Sequence, residues 1–138
     1  MDTKDQLGNL IFVGIVSSIE STKLATVRVT RTDKDNKVSA PLRVLQQGTH
    51  GAKSFWMPAV GDQVVCLQLP NFSGKGTGEG FVLGSVYSTA DPSEESNPKA
   101  RSFKAADGTF TRYDGAGDIE IHAAGNYKVT ANRIDLNN

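Results

Sequence analysis

Apolar and polar residues alternate along most of this chain at the two-residue period that is typical of β-strands. Five segments within the first ninety residues carry this pattern, and β-branched residues are common in them. The five segments are 10–19, 24–31, 41–45, 62–69 and 80–87. No stretch of ten residues sustains the three- and four-residue spacing of an amphipathic helix. The pattern therefore predicts an all-β fold, a small barrel or sandwich.

Glycines mark bends and loops between the predicted strands. Gly14 and Gly84 lie inside strand segments and predict bulges or sharp bends there. Residues 71–80 hold four glycines, which predicts a flexible surface loop. This loop is superficially similar to a phosphate-binding loop, but it lacks the Gly-Lys-Ser/Thr ending, and predicted strands flank it. We therefore predict a hairpin loop without a phosphate site.

The composition changes after residue 90. Residues 91–100 are acidic and contain two prolines, which predicts a linker with nothing to bury. We therefore predict a barrel domain over residues 1–90, a linker over 91–100 and a separate segment over 101–138. Within the last segment, Asp107-Gly108 predicts a two-residue hairpin turn.

The tail carries an imperfect eight-residue repeat. Gly117 and Gly125 lie eight residues apart, and each opens a short alternation of apolar and polar residues. Three successive apolar pairs follow: Ile119 and Ile121, Tyr127 and Val129, Ile134 and Leu136. Each repeat predicts one short strand and a turn. So small a sheet is marginal in water, so the tail needs either a partner surface or other copies of itself.

Charge and cysteine content narrow the possible functions. Lysine and arginine together number 15, as do aspartate and glutamate, so the formal net charge is zero. This balance argues against a general nucleic-acid binder and against docking to an anionic membrane. The single cysteine, Cys66, lies in an apolar strand segment and predicts a buried thiol. The N-terminus has no signal-peptide pattern, so we expect a protein made in the cytoplasm.

Catalytic and metal-binding motifs are weak. The two histidines, His50 and His122, form no His-x-His pair, and one cysteine cannot form a cysteine cluster. A nucleophile elbow is also missing. We therefore expect no enzyme activity, no metal and no cofactor. An OB-fold module for nucleic acid or oligosaccharide remains an alternative, because four aromatic residues are suited to stacking. These residues are Phe55, Trp56, Phe72 and Phe81.

Two stretches of the barrel segment carry a recognisable signature. They are Phe55-Trp-Met-Pro-Ala-Val-Gly-Asp-Gln-Val-Val-Cys-Leu and Gly78-Glu-Gly-Phe-Val-Leu-Gly-Ser-Val-Tyr-Ser. Together they resemble the phage baseplate assembly protein V family and the barrel domain of type VI secretion valine-glycine repeat proteins. The matching positions are Trp56, Pro58, Gly61, Asp62, Val64, Val82, Leu83, Gly84 and Tyr87.

The resemblance implies a central spike of a contractile injection machine. An N-terminal OB-fold barrel would dock on a baseplate hub, and the tail octads of three chains would wind into an intertwined β-helix or prism. The implied location is the baseplate tip of a virion or tail-like particle, which meets the target cell envelope. The candidates for the barrel signature and hub interface are Phe55, Trp56, Pro58, Gly61, Asp62, Gly84 and Tyr87.

The same resemblance assigns faces to the tail residues. The apolar pairs Ile119, Ile121, Tyr127, Val129, Ile134 and Leu136 would form the core of the trimeric shaft. Alternate residues take opposite faces of a strand, so Glu120, Lys128 and Asp135 would point outward.

The chain also departs from the family pattern. A lysozyme domain, which the spikes of T-even phages carry, is replaced by the ten-residue linker. The His-x-His pair that holds iron at many spike tips is missing, so we expect neither wall digestion nor a tip metal. Because the shaft is short, we expect either a truncated chain or a separate tip protein of the proline-alanine-alanine-arginine repeat (PAAR) type.

Overall fold

Nine β-strands, arranged in two sheets, make up the regular structure of the described chain. The structure is a computed structural model and describes residues 10–71 and 77–137. The chain divides into two compact units, Met1–Pro92 and Ser93–Asn138. The division falls inside the predicted linker.

Five strands of the first unit close into a mixed barrel. The neighbours follow the order β1-β5-β6-β4-β2, and β2 pairs again with β1. The β4–β6 pairing is parallel, and the other pairings are antiparallel. The predicted all-β, OB-like barrel is therefore confirmed at this level. The strands are β1 (Ile11–Ser21), β2 (Thr26–Arg31), β3 (Lys37–Val38), β4 (Leu42–Val44), β5 (Gln63–Pro70) and β6 (Thr77–Val86), with β3 added at the edge of β2.

The barrel encloses a single apolar core. Alternate residues of each strand point inward, as the two-residue period requires. Trp56 and Met57 pack against this core from the loop between β4 and β5, where Pro58 is fully buried. The core residues are Phe12, Val16, Ala25, Val27, Val29, Leu42, Val44, Val64, Cys66 and Val82.

Two strand details differ from the sequence-based expectation. Strand β6 begins at Thr77, so residues 77–80 belong to a strand and not to the predicted glycine loop. The rest of that predicted loop, residues 72–76, lies outside the described residues. In β6 the register passes from Gly84 to Val82, so Leu83 is the extra residue of a bulge. The bend predicted at Gly84 is therefore present.

Gly14 has a different role from the predicted bulge, since the register shift of β1 falls later, between Val16 and Ser18. A Cβ atom at residue 14 would lie 2.5 Å from Val29 Cγ1 and 2.6 Å from the Thr30 carbonyl oxygen. Glycine is needed here because β1 and β2 approach too closely for a side chain.

The second unit is an antiparallel sheet in the order β7-β8-β9. Its strands are β7 (Arg101–Lys104), β8 (Phe110–Tyr113) and β9 (Ile119–His122). The prediction of a two-residue turn at Asp107-Gly108 is wrong. Ala105 N–H donates to Thr109 at 2.8 Å, and Gly108 N–H donates to Ala105 at 3.0 Å. Since Gly108 has φ of +93°, the connection is a three-residue loop with a left-handed glycine.

Only the first tail octad forms a strand. Residues 123–137 belong to no strand in the single chain. The predicted strands at the second and third apolar pairs are therefore not formed within one copy, and the β-helix is not seen there.

We expect Gly14→Ala to destabilise the barrel by about 1–3 kcal/mol, because the added methyl group overlaps the backbone of β2. Urea unfolding followed by the fluorescence of Trp56 measures this loss. Gly51→Ala is the matched control, since a Cβ atom there meets nothing within 4 Å. Its free energy of unfolding should change by less than about 1 kcal/mol. Equal effects of the two substitutions would contradict the close approach.

Candidate functional site: the surface of the second unit

The sheet of the second unit has one apolar and one polar face. Paired residues of neighbouring strands share a face. One row joins Arg101, Tyr113 and Ile119, and the next row on the same side joins Phe103, Thr111 and Ile121. We call this side the apolar face (Arg101, Phe103, Thr111, Tyr113, Ile119 and Ile121). The opposite, polar face carries Ser102, Lys104, Phe110, Arg112, Glu120 and His122.

Nothing in the second unit covers the apolar face. The exposed fractions are 72% for Phe103, 51% for Tyr113, 62% for Ile119 and 51% for Ile121. None of the side chains of residues 93–137 is buried, whereas the barrel has a continuous core. The second unit is therefore a regular sheet without a core of its own.

The polar face is different, because a segment of the same chain is bound to it. We call residues 93–98 the acidic strap. The Glu95 carboxylate accepts hydrogen bonds from Arg112 Nε at 2.7 Å and Nη2 at 3.2 Å. Lys104 Nζ lies 2.9 Å from Glu94 Oε2. Asn97 Nδ2 donates to the Asp114 carbonyl oxygen at 3.0 Å. The predicted linker is thus partly a structural element of the second unit.

The Glu95–Arg112 ion pair is the main contact of the acidic strap. Both side chains are about one-third exposed, at 28% for Glu95 and 33% for Arg112. The hydrogen bonds from Arg112, helped by the N–H of Asn97, lower the pKa of Glu95 from 4.5 to about 2. A two-point guanidinium–carboxylate pair also fixes orientation, since both groups are planar.

A second contact on the polar face concerns His122. Its ring stacks on Phe110 with 5.4 Å between the ring centroids. This contact gives His122 a packing role on the side of the sheet where the acidic strap lies.

A tight turn sets the register of β9. Asp114 Oδ1 accepts hydrogen bonds from the N–H groups of Ala116 at 2.7 Å and Asp118 at 3.1 Å. These bonds lower the pKa of Asp114. Gly115 and Gly117 have φ of +79° and +111°, which favours glycine at both positions. The turn thereby places Ile119 and Ile121 on the apolar face.

The tail beyond β9 continues the apolar pattern without partners. Within the described chain, no backbone N–H or C=O group of residues 125–137 makes a hydrogen bond. The four remaining predicted core residues of the shaft are exposed: Tyr127 at 67%, Val129 at 51%, Ile134 at 55% and Leu136 at 87%.

The barrel signature has a clear structural role in the loop between β4 and β5. Trp56 Nε1 donates to the Leu45 carbonyl oxygen at 2.8 Å. The Gln46 side chain accepts from Trp56 N–H at 3.0 Å and donates to the Trp56 carbonyl oxygen at 2.9 Å. These hydrogen bonds join the start of the loop to Trp56. Pro58, two residues later, is fully buried.

Gly61 and Asp62 form the turn into β5. Asp62 Oδ2 accepts a hydrogen bond from Ala59 N–H at 2.8 Å. Gly61 has φ of +100°, and its N–H donates to Val16 at 2.9 Å. These residues fix the start of β5. Their place in the signature therefore has a structural explanation that requires no partner protein.

The seven hub-interface candidates are therefore not one surface. Phe55 is 65% exposed and Tyr87 is 75% exposed, so both are available to a partner. Pro58 is fully buried and Trp56 is partly buried. The hub contact stays a prediction, and Pro58 has no exposed surface to offer a partner in the single chain. Gly84 serves the bulge of β6.

The chemistry of the described residues is limited. No group of three or more His, Cys, Asp or Glu side chains that could hold a metal ion occurs within residues 10–71 and 77–137. Burial raises the pKa of the Cys66 thiol to about 12, so the thiol is not a nucleophile at neutral pH. No helix in the described part of the chain is long and apolar enough to cross a membrane.

Comparisons with other proteins add no further assignment. No known protein family matches this chain, and a search of curated proteins finds no match.

The pKa of Glu95 predicts how acid affects the second unit. Because the folded pKa is below the ordinary value, the ion pair contributes full stability above about pH 4.5. This contribution is lost as the pH falls from about 4.5 to about 2. Hydrogen exchange of the β8 amides over this range should show faster opening in acid. Glu95→Gln should open faster at pH 7 and respond less to acid.

Glu94→Gln is the matched control, because the Glu94 side chain is 81% exposed in its pair with Lys104. Its exchange rates should stay close to those of the unmodified chain. Equal changes in the two variants would argue against a specific role of the Glu95–Arg112 pair.

Proposed function

We propose that this chain is the structural spike protein of a contractile tail or tail-like injection particle. Three copies associate through their second units and tails. The barrel docks on the baseplate hub, and the joined tails form the start of a shaft that helps to pierce the target cell envelope. The function is mechanical, and no catalytic step is part of it.

One observation carries the proposal: the second unit has strands and turns but no buried side chain. A three-stranded sheet gains stability in water only when an apolar face is covered. The acidic strap lies on the polar face, so within residues 93–122 the large uncovered apolar surface is on the opposite side. A second unit that is stable in solution therefore needs another molecule against its apolar face.

Other copies of the same chain fit this need best. Ile119 and Ile121 belong both to the apolar face and to the first octad, so the apolar pattern of the sheet continues in the sequence of the tail. Burial of each large apolar side chain contributes about 1.5–3 kcal/mol. Backbone groups of residues 125–137 would also form hydrogen bonds with those of the other copies. No strand edge would then stay open.

The number of copies and the biological role rest on the family resemblance of residues 55–67 and 78–88. The OB-like barrel agrees with the N-terminal domain that this resemblance implies. In the proposed spike, hydrogen bonding between tails gives stiffness, and a separate PAAR-type tip protein or further chain would complete the point.

The alternative, an OB-fold module that binds nucleic acid or oligosaccharide, has less support. OB-folds bind their ligands on the face of the second and third barrel strands, here β2 and β4. Each arginine of these two strands is already in an ion pair. The pairs are Arg28 with Glu20, Arg31 with Asp33 and Arg43 with Glu79. Phosphate groups would have to displace these carboxylates.

We expect the full chain to have three times the mass of one chain in light scattering at micromolar concentration. Ile121→Gln should shift the mass toward that of one chain. The loss of about 1.5–3 kcal/mol in each copy amounts to roughly 5–9 kcal/mol per trimer. Glu120→Gln, at the next residue on the polar face, is the matched control and should remain trimeric.

A monomer that does not change when residues 101–138 are deleted would refute the spike proposal. So would a trimer that dissociates equally with both glutamine substitutions, since the two residues lie on opposite faces.

Binding to single-stranded DNA separates the two functions. We expect no tight binding of the full chain to an oligothymidine in low salt, because the net charge is zero. Fluorescence anisotropy at two salt concentrations tests this expectation. Tight binding that weakens steeply with salt would favour the OB-fold alternative.

A further inference from the structure

The barrel has an apolar outer surface of its own. Outward-pointing residues of β1, β5 and β6 lie side by side, because Ile11 pairs with Leu67 and Leu67 pairs with Phe81. In the next row Val13 pairs with Val65, next to the bulge of β6. We call this surface the outer barrel face (Ile11, Val13, Val65, Leu67, Phe81 and Leu83).

The outer barrel face is uncharged; three of its six side chains are exposed, and Val65, Leu67 and Phe81 are half-buried. The exposed fractions are 55% for Ile11, 39% for Val13 and 44% for Leu83. Arg43 borders the face, with its guanidinium 5.1 Å from the Phe81 ring centroid and paired with Glu79. The charged side chains thus lie at the rim, and the centre is aliphatic, which is the usual anatomy of a protein–protein interface.

The length of the chain between the units limits how far apart the barrels can be in a trimer. Strand β6 ends at Val86, and the acidic strap is bound to the second unit from Glu94 onward. The eight residue steps between them span at most roughly 27 Å. A barrel of about 90 residues has a radius of gyration of roughly 12 Å. On such short tethers around one axis, three barrels can reach one another.

We propose that the outer barrel faces of three copies pack against one another around the trimer axis, so that the occupant of this face is a second copy of the chain. The inference rests on the proposed trimer and adds a second interface to it. The tethers hold the barrels at a high effective concentration, so even a modest apolar patch suffices for association. Because each face is uncharged and the chain has no net charge, no repulsion opposes the contact.

The test measures how fast a cysteine on the outer barrel face reacts with a thiol reagent. Val13→Cys reports from β1, and Leu83→Cys is a second reporter from β6 in case the first variant does not fold. The native Cys66 does not react with the thiol reagent, since it is buried and its thiol is protonated. In the full-length trimer we expect labelling to be slower by roughly tenfold or more than in the same chain made monomeric by Ile121→Gln.

Lys23→Cys, in the turn between β1 and β2 and away from the outer barrel face, is the matched control. It should label equally fast in trimer and monomer. Equal rates at Val13→Cys in trimer and monomer would overturn the inference and leave the trimer intact. Slow labelling in both states would also overturn it, because the cover would then come from the same chain. If the unmodified chain is a monomer, the proposed function fails as well.

Discussion

The removal of apolar surface from water is the constraint that organises both halves of this protein. In the barrel, the constraint is met within one chain, because β1 pairs with both β2 and β5 and thereby closes the sheet around its core. The second unit follows the same strand pattern, but it has three strands and cannot close. The difference between a unit with a core of its own and a unit without one therefore comes from strand number and closure, not from residue type.

Closure of the barrel depends on a few positions where the backbone departs from a regular strand. Gly14 lets β1 and β2 approach, the bulge at Leu83 turns β6, and the Gly61-Asp62 turn returns the chain into β5. The last two belong to the signature that resembles spike barrels. The signature thus has an explanation in barrel geometry, and its most exposed aromatic members, Phe55 and Tyr87, are available for recognition.

The sequence was sufficient for the strands of the barrel but not for the second unit and the tail. Regular alternation of apolar and polar residues located all five barrel strands and the strand of the first octad. Of the apolar face, only the Ile119–Ile121 pair was predicted. The contribution of Tyr113 was missed because Phe110 and Tyr113 are three residues apart in one strand, so their side chains point to opposite sides. The role of Glu95 was also hidden, since its partner Arg112 is 17 residues away and the surrounding composition is typical of a linker.

The acidic strap has a consequence for the order of events during folding. Its contacts, like those of β7, β8 and β9, join residues of one chain, so they form independently of concentration. Each chain can therefore form these contacts before it meets another copy in the proposed trimer, but its sheet stays marginal while the apolar face is in contact with water. From that point, productive association and random aggregation both require collisions, and a chain without net charge has no long-range repulsion to slow the second process. In the proposed trimer, the concentration of free chains therefore affects both the assembled and the aggregated fraction of the protein.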